Sequence, residues 1–381
     1  MKLLFVNMSL DEIKDGGTVE RTIQLCKHIA AEGIDCTILT TDSGLNQDLL
    51  TTMKCNNVDI IALPCVNKRF YLPFPCLNTI KKHVAASDII HLMGHWTLIN
   101  LLVYSYDRKY NKPYAVCPAG ALPVFGRSKS IKTLYNFIVG RKIIKNATFH
   151  IAVADNEISQ FTDYGIPAEK VTIIPNGVNP KDYVIQDNDA FRKFAGLGDS
   201  PYILFMGRLN LIKGPDLLLR AFCSISDVFP DMHLVFAGPD GGMLSELKLC
   251  TSASSLERRV HFVGYLGGTN KVSAYSSASL LVVPSRQEAM SIVALESGIC
   301  GVPVLITDQC GFGTLHLIDG VMAVPATEPG LADGLIRLLE NRKLLPIIGE
   351  RFKSYILKNL TWKVATKAYL DMFRKMGEID V

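Results

Sequence analysis

The chain has no run approaching 18 consecutive apolar residues, so no part of it reads as a membrane-spanning helix. Its ten cysteines include no C-x-x-C pair and follow no regular spacing. That argues against a zinc site or a disulfide framework and for reduced, structural thiols. The net charge of +4 is too small to argue for nucleic acid, and no aromatic stacking platform or recognition motif supports one. No internal repeat is visible beyond a shared rhythm of short and long apolar segments. The opening MKLLFVNMSLDE carries one Lys and an apolar run too short for a signal peptide before Asp11 and Glu12. A first strand is expected there, in a protein of the cytoplasm.

What is there is the balance of a folded globular protein. Hydrophobic residues make up 48% and charged residues 20%, where a disordered chain would hold far less apolar content. At 381 residues the chain exceeds one ordinary core and fits two domains of about 150 to 200 residues each. Strand-like runs in the first half are Leu3–Val6, Cys36–Leu39, Ile89–Leu92, Tyr114–Cys117, Phe149–Val153 and Val171–Ile174. Amphipathic segments lie between several of them, as in Thr18–Ala31, where Val19, Ile23, Cys26 and Ile29 recur at helical spacing. The second half repeats the pattern at Tyr202–Met206, His233–Ala237, Val260–Val263, Leu280–Val283, Val302–Ile306 and Val321–Val324. Continuous apolar strands separated by helices predict parallel sheets covered on both faces. The polar stretch from Asn179 to Ser200 marks the break, giving expected domains 1–180 and 181–360. The last segment, 361–381, has an apolar helical face through Trp362, Tyr369 and Phe373 and is expected to cross back to the first domain.

Two segments carry chemistry. In GRLNLIKGPD, residues 207–216, Gly207 ends a strand, and Arg208 and Lys213 flank a helix expected to begin near Pro215. A helix start with two cations beside it suits a diphosphate, although a solvated basic loop explains the same residues. In PSRQEAMSIVALESGICGVPVL, residues 284–305, a helix is expected to start near Ala289, with Glu288 just before it and Glu296 inside. A cap accounts for Glu288 cheaply. Glu296 lies among Ile292, Val293, Leu295 and Ile299, where an unpaired carboxylate is costly; ribose hydroxyls would suit it as partners.

Together, G-R-x4-K-G and the Glu-x7-Glu segment EAMSIVALE, followed by GICGVPV, resemble family 4 of the retaining glycosyltransferases. GGTVER (16–21), IIPNGVN (173–179), VFAGPDGG (235–242) and VHFVGYL (260–266) stand in the family's order, so the resemblance covers nearly the whole chain. It implies the GT-B architecture: α/β, with two facing doubly wound Rossmann-like domains and an interdomain cleft. The first domain would bind acceptor and the second the nucleotide-sugar donor. It implies a metal-independent, retaining hexosyltransferase that moves a hexose from a UDP- or GDP-sugar to a glycan or lipid-linked acceptor, in cell-surface polysaccharide biosynthesis. No cofactor beyond the donor substrate is implied. Arg208 and Lys213 would hold the diphosphate, and Glu296 the ribose. Glu288 and the amides of Ala289, Met290 and Ser291 would meet donor sugar and phosphate. Gly16 and Gly17 would let backbone approach the phosphates, and Asn176 and Gly238 would complete the substrate contacts. Where many members carry a His beside the reacting sugar, this chain has Ala119; the nearby His95 reads as a loop or helix-start residue. The leaving phosphate would then take the acceptor's proton. The triplet Asp187-Asn188-Asp189 reads as a solvated turn rather than a metal site.

From Arg108 to Ala154 there are nine Lys or Arg and no Asp or Glu. Six of them, Arg127, Lys129, Lys132, Arg141, Lys142 and Lys145, interleave with Ile131, Leu134, Tyr135, Phe137, Ile138, Ile143 and Ile144. Such a helix can lie on an anionic bilayer, each nearby cation adding about 1 kcal/mol. It fits equally a helix packed in the first domain with a basic face outward. On the first reading the acceptor is lipid-linked and the protein sits on the inner face of the plasma membrane. Rival readings are a catalytically inactive nucleotide-sugar-binding homologue and a nucleotide-sugar epimerase of the same fold.

Overall fold

The computed structural model describes residues 1–11, 16–124, 128–185, 187, 189–312 and 320–377. Arg127 of the basic run, Asn188 of the acidic triplet and residues 378–381 of the last segment lie outside them. The chain divides into two compact units, Met1–Gly177 with Trp362–Val381, and Val178–Thr361.

The first unit is built on β1 (Lys2–Val6), β2 (Asp35–Thr41), β3 (Val58–Leu63), β6 (Ile89–Met93), β7 (Tyr114–Cys117), β8 (Phe149–Ala152) and β9 (Val171–Ile173). They form a parallel sheet in the order β3-β2-β1-β6-β7-β8-β9. β6 and β7 are buried at every position, which is why they read as unbroken apolar runs. The strand β3, Val58–Leu63, lacks an unbroken apolar run in the sequence because Asp59 and Ala62 face solvent and dilute it. A small antiparallel pair, β4 (Cys65–Asn67) with β5 (Leu72–Pro73), follows it.

Helix Gly17–Ala31 buries Val19, Ile23, Cys26 and Ile29. Against it packs the last helix, Trp362–Gly377, whose Tyr369 and Phe373 are wholly buried. Phe373 meets Phe5 edge-on and Tyr369 meets His91. Arg21 sits between these layers at 1% exposure. Its guanidinium donates to the Asn176 side-chain oxygen (2.6 Å), the Ile174 carbonyl (2.7 Å) and the Tyr369 hydroxyl (2.9 Å). A buried cation is tolerable only when hydrogen-bonded in this way. The basic segment forms helix Lys129–Tyr135, a π-helical turn Asn136–Gly140 and helix Arg141–Lys145.

The second unit holds β10 (Tyr202–Met206), β11 (His233–Ala237), β12 (Val260–Gly264), β13 (Leu280–Val283), β14 (Val304–Thr307) and β15 (Val321–Val324), all parallel. Their order, β12-β11-β10-β13-β14-β15, reverses direction between β10 and β13. Helices Pro215–Ile225 and Glu328–Glu340 bury Leu218, Leu219, Phe222, Leu331 and Leu335 in the core that also holds Ile203 and Phe205. Among the described residues no helix is long and apolar enough to cross a membrane.

Candidate active site

Ligands on open parallel sheets bind outside the carboxyl ends of the strands where the order reverses. In the second unit that point lies beyond β10 and β13, where both chemistry-bearing segments emerge. Gly214 brings them together. It adopts φ +68°, and a Cβ there would stand 2.0 Å from the Pro284 carbonyl oxygen. Only glycine allows the loop after β10 to run so close to the end of β13. Lys213 Nζ consequently lies 2.8 Å from Glu288 Oε1, while Ser285 Oγ donates to Glu288 Oε2 at 2.8 Å. Arg208 is exposed, and its guanidinium has no ion-pair or hydrogen-bond partner among the described residues.

A second clamp fixes the loop, and its residues drew no attention in the sequence. Arg286 grips both carboxylate oxygens of Asp216 (2.8 and 2.7 Å) and donates to the Leu211 carbonyl (2.8 Å). Arg220 adds a 2.7 Å bond to the same Asp216. Burial raises the Asp216 pKa, but the hydrogen bonds and charges of Arg286 and then Arg220 outweigh it and hold the carboxyl below its ordinary value. Arg286 and Asp216 are 70 residues apart in sequence, which no spacing rule detects.

Glu288 is not a helix cap. The helix begins at Ile292, three residues later than expected, and Ser291 is its N-cap. Glu288 instead has bridge geometry against Cys310: its amide donates to the Gln309 carbonyl, and its carbonyl accepts from Gly311. Its carboxylate is thereby free to hold Lys213. Ser291 is fully buried, and its hydroxyl has no hydrogen-bond partner among the described residues. Met290 is buried and Ala289 half-buried beside it.

Glu296, at 4% exposure, is surrounded by donors of the protein itself. Tyr183 Oη (2.6 Å) and Lys271 Nζ (2.7 Å) donate to Oε1, and Tyr275 Oη (2.6 Å) to Oε2. These bonds offset the cost of a carboxylate in an apolar helix. Burial, and then the Glu296 charge, push the Tyr275 phenol far above its ordinary pKa, so it stays a donor. Gly238 is explained by packing: a Cβ there would stand 1.9 Å from the Gly207 carbonyl oxygen.

In the first unit the order reverses between β1 and β6. Gly16 caps helix Gly17–Ala31 at φ +49°, and no described atom lies within 4 Å of where its Cβ would be. Asn176 is 6% exposed, and its side-chain oxygen accepts from Arg21. Ala119 is half-buried at φ +49°, an uncommon conformation for a residue with a Cβ. The buried Glu157 carboxylate takes the amides of Gly120 and Val153 and so fixes that turn. His95 is buried, with Nε2 2.9 Å from Asn136 Oδ1. Burial lowers its pKa to about 4, so the ring is neutral near pH 7. Among the described residues no three His, Cys, Asp or Glu side chains gather as a metal site would require. The Asp187 carboxylate accepts from the Asp189 amide, a local turn.

The basic segment divides its apolar residues. Ile143 and Ile144 are buried, whereas Ile131, Leu134, Phe137 and Ile138 are exposed, Phe137 at 85%. A groove of about 440 Å³ runs among Val124, Phe137, Arg141, Lys142 and Lys145.

Residues 15–182 match the family model described as Glycosyltransferase Family 4, and residues 187–355 match that of glycosyl transferases group 1. The chain belongs to glycosyltransferase family 4. An uncharacterized glycosyltransferase of Methanocaldococcus jannaschii is 29% identical to this family 4 chain over 218 residues, 55% of each. A D-inositol 3-phosphate glycosyltransferase of Corynebacterium jeikeium is 26% identical over 254 residues, 63% of this chain and 60% of the relative. The chain thus spans between half and two thirds of the length of these curated relatives. Among solved structures it is similar to HepE of Anabaena in complex with UDP and glucose. The TM-score is 0.80 at 17% identity, covering 98% of this chain and 100% of that one. The fold of this family 4 member is GT-B, built from two parallel-sheet α/β units.

Proposed function

We propose that this protein is a retaining, metal-independent hexosyltransferase. It takes a hexose from a UDP- or GDP-sugar and passes it to a glycan or lipid-linked acceptor in cell-surface polysaccharide biosynthesis. The observation that carries the reading is the arrangement beyond β10 and β13. There Lys213, oriented by Glu288, stands two residues before helix Pro215–Ile225, Ser291 caps helix Ile292–Ile299, and Arg208, following β10, has a guanidinium with no partner among the described residues. Helix N-termini and fixed cations stabilise a diphosphate, most strongly as charge grows on it in the transition state. HepE, similar in fold, has been seen with UDP and glucose.

In this reading the acceptor hydroxyl attacks the anomeric carbon as the bond from that carbon to the β-phosphate oxygen breaks. The acceptor's proton passes to the leaving phosphate, and the nucleoside diphosphate departs. Arg208 and Lys213 stabilise the phosphate charge. Glu288 and the amides of Ala289, Met290 and Ser291 hold sugar and phosphate, and Glu296 meets the ribose. Gly16 and Gly17, at the start of helix Gly17–Ala31, leave backbone open to phosphate. No side-chain base is needed where Ala119 stands, and His95, buried and neutral, is not a substitute. The exposed Ile131, Leu134, Phe137 and Ile138, beside Lys129, Arg141, Lys142 and Lys145, support a peripheral contact with an anionic membrane. On that reading the protein works at the inner face of the plasma membrane.

Calorimetry with UDP and GDP tests the donor site. Arg208→Ala should weaken nucleotide binding roughly 10- to 100-fold and leave the melting temperature unchanged, since the guanidinium holds no partner among the described residues. Equal affinity in variant and wild type would overturn the assignment. Binding of a nucleotide-sugar without acceptor-dependent release of diphosphate would favour an inactive homologue.

A further inference from the structure

We propose that Tyr183 is a latch on the donor site. Its hydroxyl holds an acceptor position on Glu296 that a ribose hydroxyl takes when the nucleotide binds. This rests on the reading of Glu296 as the ribose contact.

A carboxylate offers about four lone-pair positions, two on each oxygen. On Glu296, Tyr183 and Lys271 fill both positions of Oε1, and Tyr275 fills one of Oε2. Among the described residues no other donor reaches this carboxylate, so one position is left. The 2′ and 3′ hydroxyls of a ribose need two, so binding both requires one protein donor to leave.

The three donors differ in what leaving would cost. Tyr275 is fully buried, and its phenol would be stranded away from water. Lys271 carries the cation 2.7 Å from this buried carboxylate, and its departure would leave an uncompensated charge. Tyr183 is neutral and half-buried. It ends the short 3-10 turn Pro180–Tyr183, between exposed Asp182 and Val184, where water can solvate a released hydroxyl. Its ring also lies 5.9 Å from Lys271 Nζ, a contact that a small rotation preserves. Tyr183 is therefore the donor that exchanges. The latch keeps Glu296 satisfied before the donor arrives, and its exchange lowers the donor's net affinity. Tyr183 acts through Glu296; it is a positioning residue and takes no part in the chemistry.

The test is calorimetric titration of wild type and Tyr183→Phe with UDP and with 2′-deoxy-UDP, or with the guanosine pair if the wild type prefers GDP. Removing the hydroxyl frees one position, so Tyr183→Phe should bind UDP roughly three- to tenfold tighter, the net worth of about one ordinary hydrogen bond. The 2′-deoxy nucleotide needs only the position already open, and the two proteins should bind it equally. In steady state the variant's donor KM should fall, with kcat unchanged at saturating donor. Unchanged or weaker UDP binding by Tyr183→Phe overturns the latch, as does an equal gain with the deoxy nucleotide. Failure of the wild type to bind either UDP or GDP would instead sink the donor reading, and the latch with it.

Discussion

Gly214→Ala should damage the site without touching any residue that meets substrate. At φ +68° an alanine costs about 1–2 kcal/mol in backbone strain. Its Cβ would stand 2.0 Å from the Pro284 carbonyl oxygen, where a comfortable carbon–oxygen contact is about 3.4 Å. The loop must therefore retreat by about 1.4 Å, or the end of β13 must give way, which adds roughly 1–3 kcal/mol of overpacking. The sum is on the order of 3 kcal/mol, and it falls on the residue next to Lys213. A shift of that size breaks the 2.8 Å contact with Glu288 and mispositions the ammonium. Misplacement by about 1 Å can cost on the order of 100-fold in rate. Both tryptophans, Trp96 and Trp362, lie in the first unit, so their fluorescence would miss the change. Hydrogen exchange over residues 202–216 is the appropriate readout, alongside kcat/KM. Wild-type exchange protection together with wild-type kcat/KM would refute the account of how the two segments are held together.

The Asp216 clamp is acid-labile. Its folded pKa is depressed, so its contribution is complete above the unfolded value of ~3.9 and fades as pH falls through the lower folded value. Asp216→Asn should cost about 2 kcal/mol near pH 7, and urea unfolding at a series of pH values should show the gap from wild type closing only below about pH 4; a gap already closing between pH 5 and 8 contradicts the assignment. Replacing Lys129, Arg141, Lys142 and Lys145 by Glu should abolish flotation with anionic vesicles, since each cation near such a surface is worth about 1 kcal/mol. Unchanged flotation would remove the membrane reading.

Much of the architecture was legible because buried parallel strands announce themselves as unbroken apolar runs. Tyr114–Cys117, Tyr202–Met206 and Leu280–Val283 needed nothing more. The start of the helix at Pro215 was equally plain, because proline suits the first helical position. The start at Ile292 was not. Glu288-Ala289-Met290 has the composition of a helix start, but Glu288 is bridged to Cys310 and the helix waits until Ile292. The site was half-visible for the same reason. Glu296 stood out as a carboxylate among apolar neighbours, but its partners Tyr183, Lys271 and Tyr275 come from 113, 25 and 21 residues away. Tertiary contacts of that kind leave no periodic trace. The π turn at Asn136 gave no signal either, since its residues suit an ordinary helix.

The first unit is interrupted: residues up to Gly177 are completed only by Trp362 onward. During synthesis the ribosome must therefore make the whole of Val178–Thr361, on the order of ten to forty seconds of elongation, before Tyr369 and Phe373 exist to cover Phe5 and His91. The second unit can reach its native state first, although its chain begins later. Until then the first unit waits with Arg21 lacking the Tyr369 hydroxyl and with the apolar side of helix Gly17–Ala31 uncovered. This is the interval in which a chaperone that binds exposed apolar helix faces has most to do. Truncation before Trp362 should make that waiting state permanent.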